Sequence, residues 1–297
     1  MTVAWLCAGE RSGNIGPMQR GTVQREVTSP AGAPVTWVVQ TNLGSSEDVG
    51  RIRRGCELLG HPFLGVTAVP FSDELPAIAV TGPAVAYGST RLMLKLHAAR
   101  LLRPGVYFDA ERFRCSRWSA TLGDRALNAG AAVTTLRALA AEPRPDGERV
   151  FVRPDDDAKD FAGQVLAFGE LRRWVEALSP GGFELSVDVP IVAARPVDID
   201  VEWRLFVVDG RVSSGSRYRS RGASDVRPEL PGIVVSFAHE VTALFQPAPV
   251  FVLDVAAVGD RLAVVEFNGF NSAGFYASDV ERIVRDVSDA AAREPAP

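Results

Sequence analysis

The sequence predicts a mixed α/β and α+β protein: a small α/β domain, then a larger region of antiparallel strands and amphipathic helices. Three observations carry that reading. Between residues 35 and 120, short apolar runs alternate with stretches whose apolar residues recur every three or four positions. Past residue 200, apolar runs fold back as hairpins, one through Asp209-Gly210, the strongest short hairpin signal. The length of 297 residues, with 46% hydrophobic and 23% charged residues, supports a substantial core and about two domains.

Residues 1–34 are polar and rich in Gly, Pro and Ser, and read as a loosely attached extension with one short strand at Val3–Cys7. Val35–Thr41 is the first full strand. A helix follows, capped by Ser45 or Ser46, with Val49, Ile52, Cys56 and Leu59 on one face and Gly60 at its end. Strands are expected in 64–71, 77–82 and 84–89. A helix then opens at Ser89 or Thr90 and stops at Arg103-Pro104-Gly105, closing a domain over 35–120 with mainly parallel pairing.

Residues 121–145 read as one helix. Arg149–Arg153 is a strand cut off by Pro154, and a polar loop follows. The stretch from Val165 is an amphipathic helix with Leu166, Leu171, Trp174, Val175 and Leu178 inward. One or two strands follow in 183–194. In the Asp209-Gly210 hairpin, Val208 faces Arg211. An unbroken ladder then puts Glu202, Arg204, Arg217 and Arg219 on one face and Trp203, Leu205, Val207, Val212 and Tyr218 on the core side. Ile233–Leu244 is a helix, two apolar strands run through Phe251–Asn268, and Ser278 with Glu281 forms a capping box for the last helix. No internal repeat is present.

Composition excludes several classes of function. The net charge of −4 is spread along the chain, without a basic stripe for nucleic acid or a polybasic patch for a membrane surface. No apolar run reaches the ~20 residues of a membrane span. The first residues lack the basic start of a signal peptide, and Cys7, Cys56 and Cys115 make no paired motif. The expectation is a cytoplasmic protein.

Two stretches carry chemistry. In Phe251–Tyr276, Asp254 and Glu266 each interrupt a continuous apolar strand, and Asn268 shares the face of Glu266. Buried acids need partners, and two carboxylates with an amide suit Mg²⁺, which takes oxygen ligands and substrate phosphates. Asp254 and Glu266 share a face only if their connection is odd in length; a two-residue Gly259-Asp260 turn separates them. Beyond Asn268, the Asn271–Gly274 turn is open enough to approach a substrate closely. The second stretch is Arg153 to Gly163. Arg153 ends a strand, Lys159 follows on a loop beside Gly163, and the pair can bracket a polyphosphate; a solvated turn is the plain alternative. Neither glycine-rich phosphate loop of the common nucleotide folds is present. On the hairpin, Arg204 and Arg217 could hold a transferred phosphate or a carboxylate, with Glu202 orienting Arg204.

In order, FVRP…K…G, EWRLFVVDGRV and LDVA…VVEFN resemble the ATP-grasp superfamily over about residues 125–290. The pattern looks like the clade in which arginine, here Arg153, replaces the first phosphate-binding lysine and a second lysine follows, here Lys159. The resemblance implies an ATP-grasp fold of two α+β lobes gripping ATP (121–193 and 194–297), preceded by a small Rossmann-like α/β domain. It implies Mg²⁺ on Asp254, Glu266 and Asn268, phosphates on Arg153 and Lys159, and Arg204 facing the γ-phosphate. Adenine would lie near Ile191–Pro196, including Val192 and Ala193, with Asp198 and Asp200 as ribose candidates. The implied activity is a carboxylate–amine ligase working through an acylphosphate on small-molecule or peptide substrates. A phosphotransferase and a non-catalytic nucleotide-binding module are the alternatives.

Overall fold

The structure, a computed structural model, describes residues 33–43, 46–69, 72, 74–157, 161–179 and 185–294. The expected strand at Val3–Cys7, nearly all of the 1–34 extension and Lys159 lie outside these residues. The described chain forms three sheets.

The first is parallel, in the order β2 (Phe63–Val66), β1 (Thr36–Gln40), β3 (Ala84–Tyr87), β4 (Pro104–Gly105). β1 is apolar on both sides because helices cover both. Trp37 and Val39 pack with α1 (Ser46–Leu59), and Val38 packs with α2 (Thr90–Ala99). Ser89 caps α2 by accepting a hydrogen bond from the Leu92 amide. The expected strand at 77–82 does not form.

Residues 121–145 are not one helix. α3 (Cys115–Leu122) ends at Gly123, a 3-10 turn follows, and the chain pairs as β5 (Ala132–Thr135) before the short α4 (Leu136–Ala140). Gly123 and Gly130 take positive φ, and Val133-Thr134-Thr135 is a β-branched run with a free strand edge to join. Alanine-rich composition loses to that edge. The second sheet runs β5, β8 (Pro190–Ala194), β6 (Arg149–Pro154), β7 (Gln164–Ala167). Residues 165–167, expected as helix, belong to β7, and α5 (Phe168–Leu178) starts after them. α4 and α5 cover one face of this sheet through Leu136, Leu139, Phe168 and Leu171.

The third sheet is antiparallel: β11 (Ala223–Arg227), β10 (Arg211–Ser220), β9 (Val201–Val208), β12 (Val250–Val258), β13 (Arg261–Gly269). One face packs Trp203, Leu205, Phe251, Leu253 and Phe267 against α3 and α6 (Gly232–Leu244). The other face is divided. Phe206, Val208, Val250 and Val252 join the core formed with β1, α1 and α7 (Val280–Arg293). The remainder carries charged residues. Gly55 lets α7 approach α1: a Cβ there would meet Val284 at 3.1 Å. The cap of α7 is Asp279, which accepts from the Arg282 amide at 3.0 Å. Ser278, expected as the cap, is buried and bonds to the Ser216 hydroxyl instead. Among the described residues no helix is long and apolar enough to cross a membrane.

Candidate active site

The β12–β13 connection has two residues, Gly259-Asp260, so the odd-length turn expected from sequence is wrong. Yet Asp254 and Glu266 do face each other. The ladder runs evenly from Val258–Arg261 to Val255–Val264, then slips by one so that Asp254 pairs with Glu266 and Val252 with Asn268. Val265 is the extra residue of a β-bulge, which sets two residues of one strand against one of its neighbour. The bulge does what a longer turn was expected to do. On the other side, Asp254 pairs directly with Arg204 of β9.

These residues form one ionic cluster. Arg204 grips Asp254 with two bonds, Nε to Oδ1 at 2.9 Å and Nη2 to Oδ2 at 2.7 Å. Asn268 Nδ2 donates to Asp254 Oδ2 at 3.3 Å. Arg153 crosses from the second sheet: Nη2 donates to Glu266 Oε2 at 3.0 Å and Nη1 to the carbonyl of Val265 at 3.3 Å. The bulge therefore supplies both acceptors for Arg153. Arg204 Nη2 also lies 4.0 Å from Glu266. Asp254 is fully buried. Burial pushes its carboxyl up to about 6 against the pull of Arg204, with Glu266 adding to the rise. Burial disfavours the charge on Arg204, but Asp254 outweighs it and the guanidinium holds its proton more tightly than usual. Two carboxylates and an amide make an oxygen-rich corner with a cation on each side.

Arg217, expected as catalytic, is not in this corner. β10 carries two bulges: its pairing with β9 slips between Val212 and Ser214 and again between Arg217 and Arg219. Arg204 is left opposite Ser216, and Arg217 opposite Trp203, on the face away from Asp254. Arg217 binds Asp225 and lies 3.9 Å from Glu229. The same slip moves Tyr218 from the expected core side to the ionic face, where its hydroxyl donates to Glu202 at 2.7 Å. Glu202 also lies 3.5 Å from Arg219 Nη1. Glu202 is therefore spent on Tyr218 and Arg219 and does not touch Arg204 directly.

The other predicted residues are scattered. Gly163 stands against β6, where a Cβ would meet Phe151 at 3.1 Å and Arg153 Cβ at 3.4 Å. Val192 and Ala193 are buried in different cores on opposite faces of β8. Ala193 also borders a cleft of about 420 Å³ with Ala194, Arg195 and Val197. Asp200 accepts from the Gly259 amide at 2.9 Å and so fixes the β12–β13 turn; Asp198 is exposed in the connection before β9. The largest cleft, about 1130 Å³ between α6, α7 and the β9–β10 turn, shares no residue with the ionic cluster.

Sequence reasoning missed the work of the loop acids. Asp155 accepts from the Ser116 amide at 2.7 Å and the Ser116 hydroxyl at 2.9 Å, anchoring the start of α3. Asp157 accepts from the Gly269 amide at 2.9 Å. Both tie the Arg153 loop down beside the acidic strands. In the Asn271–Gly274 turn, Asn271 is a fastener: Nδ2 donates to the carbonyls of Ala86 and Gly105, and Oδ1 accepts from the Tyr107 amide.

A family model described as an ATP-grasp domain, family 2 of its clade, matches residues 130–285, over half of the chain. A search of curated proteins returns no match. Among solved structures, D-cycloserine synthetase DcsG is 14% identical with a TM-score of 0.58, over 86% of this chain and 99% of that one. A RimK domain protein ATP-grasp from Sphaerobacter thermophilus DSM 20745 is 13% identical at 0.56, over 86% and 99%. D-alanine–D-alanine ligase from Bacillus anthracis is 12% identical at 0.56, over 88% and 98%. At these identities the likeness shows the fold.

Proposed function

The chain belongs to the ATP-grasp family, and on that premise we propose that it is an ATP- and Mg²⁺-dependent carboxylate–amine ligase. The observation that carries the reading is the ionic cluster: Arg153 from one sheet and Arg204 from another meet on Asp254 and Glu266. Structural neighbours named as ligases and a synthetase favour ligation over bare phosphoryl transfer.

The residues fit the groups the family implies. The described residues hold no cluster of three His, Cys, Asp or Glu side chains, so a metal here would rest on two carboxylates and the amide oxygen of Asn268. That is a hard-oxygen set of the kind Mg²⁺ takes when substrate phosphates complete its shell. Arg153 Nε is buried and makes no hydrogen bond, a donor in want of an acceptor. Bound there, Mg²⁺ would neutralise charge on the β- and γ-phosphates.

ATP is a substrate. Arg153 and Lys159 would hold its phosphates, and Arg204, fixed by Asp254 through Nε and Nη2, keeps Nη1 for the transferred group. A substrate carboxylate oxygen attacks the γ-phosphorus and ADP leaves. An amine nitrogen then attacks the acyl carbon of the acylphosphate, phosphate leaves, and the amine gives up a proton. No protein nucleophile is required, because the residues supply position and positive charge. The β1–β4 sheet would be the domain preceding the grasp module, and adenine would lie at the end of β8, in the cleft bordered by Ala193–Val197.

The test is phosphate release from Mg²⁺-ATP across a panel of amino acids, peptides and polyamines. Acceptor-dependent release is expected. Glu266→Gln should lower it by about 100-fold or more with circular dichroism unchanged. Release without a joined product would favour a phosphotransferase, and absence of Mg²⁺-dependent ATP binding by calorimetry would overturn the reading.

A further inference from the structure

Tyr276 lies just past the candidate site, and its backbone is out of the ordinary. Its φ is +48°, in the left-handed region that a bulky side chain adopts at a cost. Such strain persists only where surroundings impose it. Here Arg51 of α1 imposes it: Nη1 donates to the Tyr276 carbonyl at 2.6 Å, and Nη2 bonds the Ser278 carbonyl. Arg51 is itself steadied by Asp48, 3.5 Å away in the preceding turn of the helix.

The twist delivers the ring to a particular place. Tyr276 stacks on Tyr218 with centroids 5.0 Å apart and planes 15° apart. The Arg204 guanidinium carbon lies 5.2 Å from the Tyr276 ring centre and 5.5 Å from that of Tyr218. Guanidinium groups are attracted to aromatic faces at such distances. Tyr218 is fixed in turn by its hydroxyl on Glu202. Burial, then Asp254 and Glu202, hold that hydroxyl protonated, so it remains a donor.

We infer that Tyr276 is a positioning residue for Arg204. Asp254 fixes the guanidinium along one edge, and the Tyr218–Tyr276 pair fixes its plane, so that Nη1 is presented in one orientation. α1 of the preceding domain thereby reaches the phosphate-facing arginine through Arg51 and the Tyr276 backbone. The importance of that orientation for phosphoryl transfer rests on the ligase reading; the restraint itself does not.

Two substitutions separate ring from backbone. Tyr276→Asn tolerates the left-handed conformation and removes the ring; Tyr276→Phe keeps the ring. The primary measurement is the Nε–H resonance of Arg204 in the full chain labelled with ¹⁵N-arginine, assigned by its loss in Arg204→Lys. In Tyr276→Asn its hydrogen exchange should rise about tenfold, while the thermal midpoint stays level or rises. Tyr276→Phe should restore the wild-type exchange. With an active acceptor, Tyr276→Asn should lower kcat for phosphate release about tenfold and leave the calorimetric Kd for Mg²⁺-ADP within about twofold. Wild-type exchange at Arg204 in Tyr276→Asn overturns the inference, as does an equal loss in Tyr276→Phe. If no acceptor supports release but the resonance behaves as expected, the ligase reading fails and the positioning role stands.

Discussion

Two hairpins build the central sheet, and both turn in two residues: β9–β10 through Asp209-Gly210 and β12–β13 through Gly259-Asp260. Both also carry bulges, with contrary effects on the charged residues. In β13 the extra residue, Val265, turns Glu266 toward Asp254 and leaves a carbonyl for Arg153. In β10 the slips turn Tyr218 toward Glu202 and send Arg217 to the far face. A bulge sets two consecutive side chains against one partner and reverses the alternation beyond it. One hairpin gathers a site by that device, and the other removes an arginine from it. A two-residue turn fixes the register only as far as the first bulge.

The sharpest way to break this comparison is to truncate one arginine from each side of the β9–β10 pair. Arg204→Ala leaves Asp254, fully buried, without its cation. A loss of about 3–5 kcal/mol in denaturant unfolding is expected, since removing one member of a buried pair strands the other. Arg217→Ala leaves Asp225 its bond to Arg227 and leaves Glu229 half-exposed. Only a small change in midpoint is expected there, with Mg²⁺-ADP affinity unaltered. Comparable losses from both would mean that the bulge does not separate them.

Asp254 also sharpens the contrast through pH. Its carboxyl is raised by burial to about 6, above the roughly 3.9 of an unfolded aspartate. Between those values the native state binds more proton than the unfolded state. Its contribution to stability is therefore complete below about pH 4 and is lost as the pH rises through about 6. Other carboxyls, such as that of Asp225, held down chiefly by Arg227, slope the other way. The difference between wild type and Asp254→Asn isolates the term. The urea midpoint of wild type should fall relative to that of the variant across this window and run parallel above it. A flat difference would mean that Asp254 is ionised throughout.

Much of the fold was legible because local signals and tertiary demand agreed. Ser89 capped its helix, Asp209-Gly210 turned its hairpin with positive φ at both positions, and the apolar spacing of α1 and α6 matched their buried faces. The misreadings occurred where a neighbour decided. Nothing in Val264-Val265-Glu266 marks one valine as extra; the partner strand does. Tyr218 looked like core because the ladder was continued without its slips. Residues 121–145 have the composition of a helix, yet β8 offered an edge to Val133 and its neighbours. Asp155 and Asp157 looked like solvated loop acids because their partners, Ser116 and Gly269, are distant in sequence.

The smallest expected effect concerns Asp200, at the far end of the same hairpin. If it held a ribose, Asp200→Ala would weaken nucleotide binding and leave the fold alone. The structure commits its carboxylate to the Gly259 amide and its carbonyl to Arg221 and Ser220, so it clips together the β12–β13 turn and the β10–β11 turn. The carbonyl bonds survive the substitution, and only the carboxylate bond is lost. We expect Asp200→Ala to cost about 1 kcal/mol in denaturant unfolding, the scale of one exposed charge-assisted hydrogen bond, with the calorimetric Kd for Mg²⁺-ADP unchanged. A weakened Kd at constant stability would return Asp200 to the nucleotide and would show that its bond to Gly259 yields when ATP arrives.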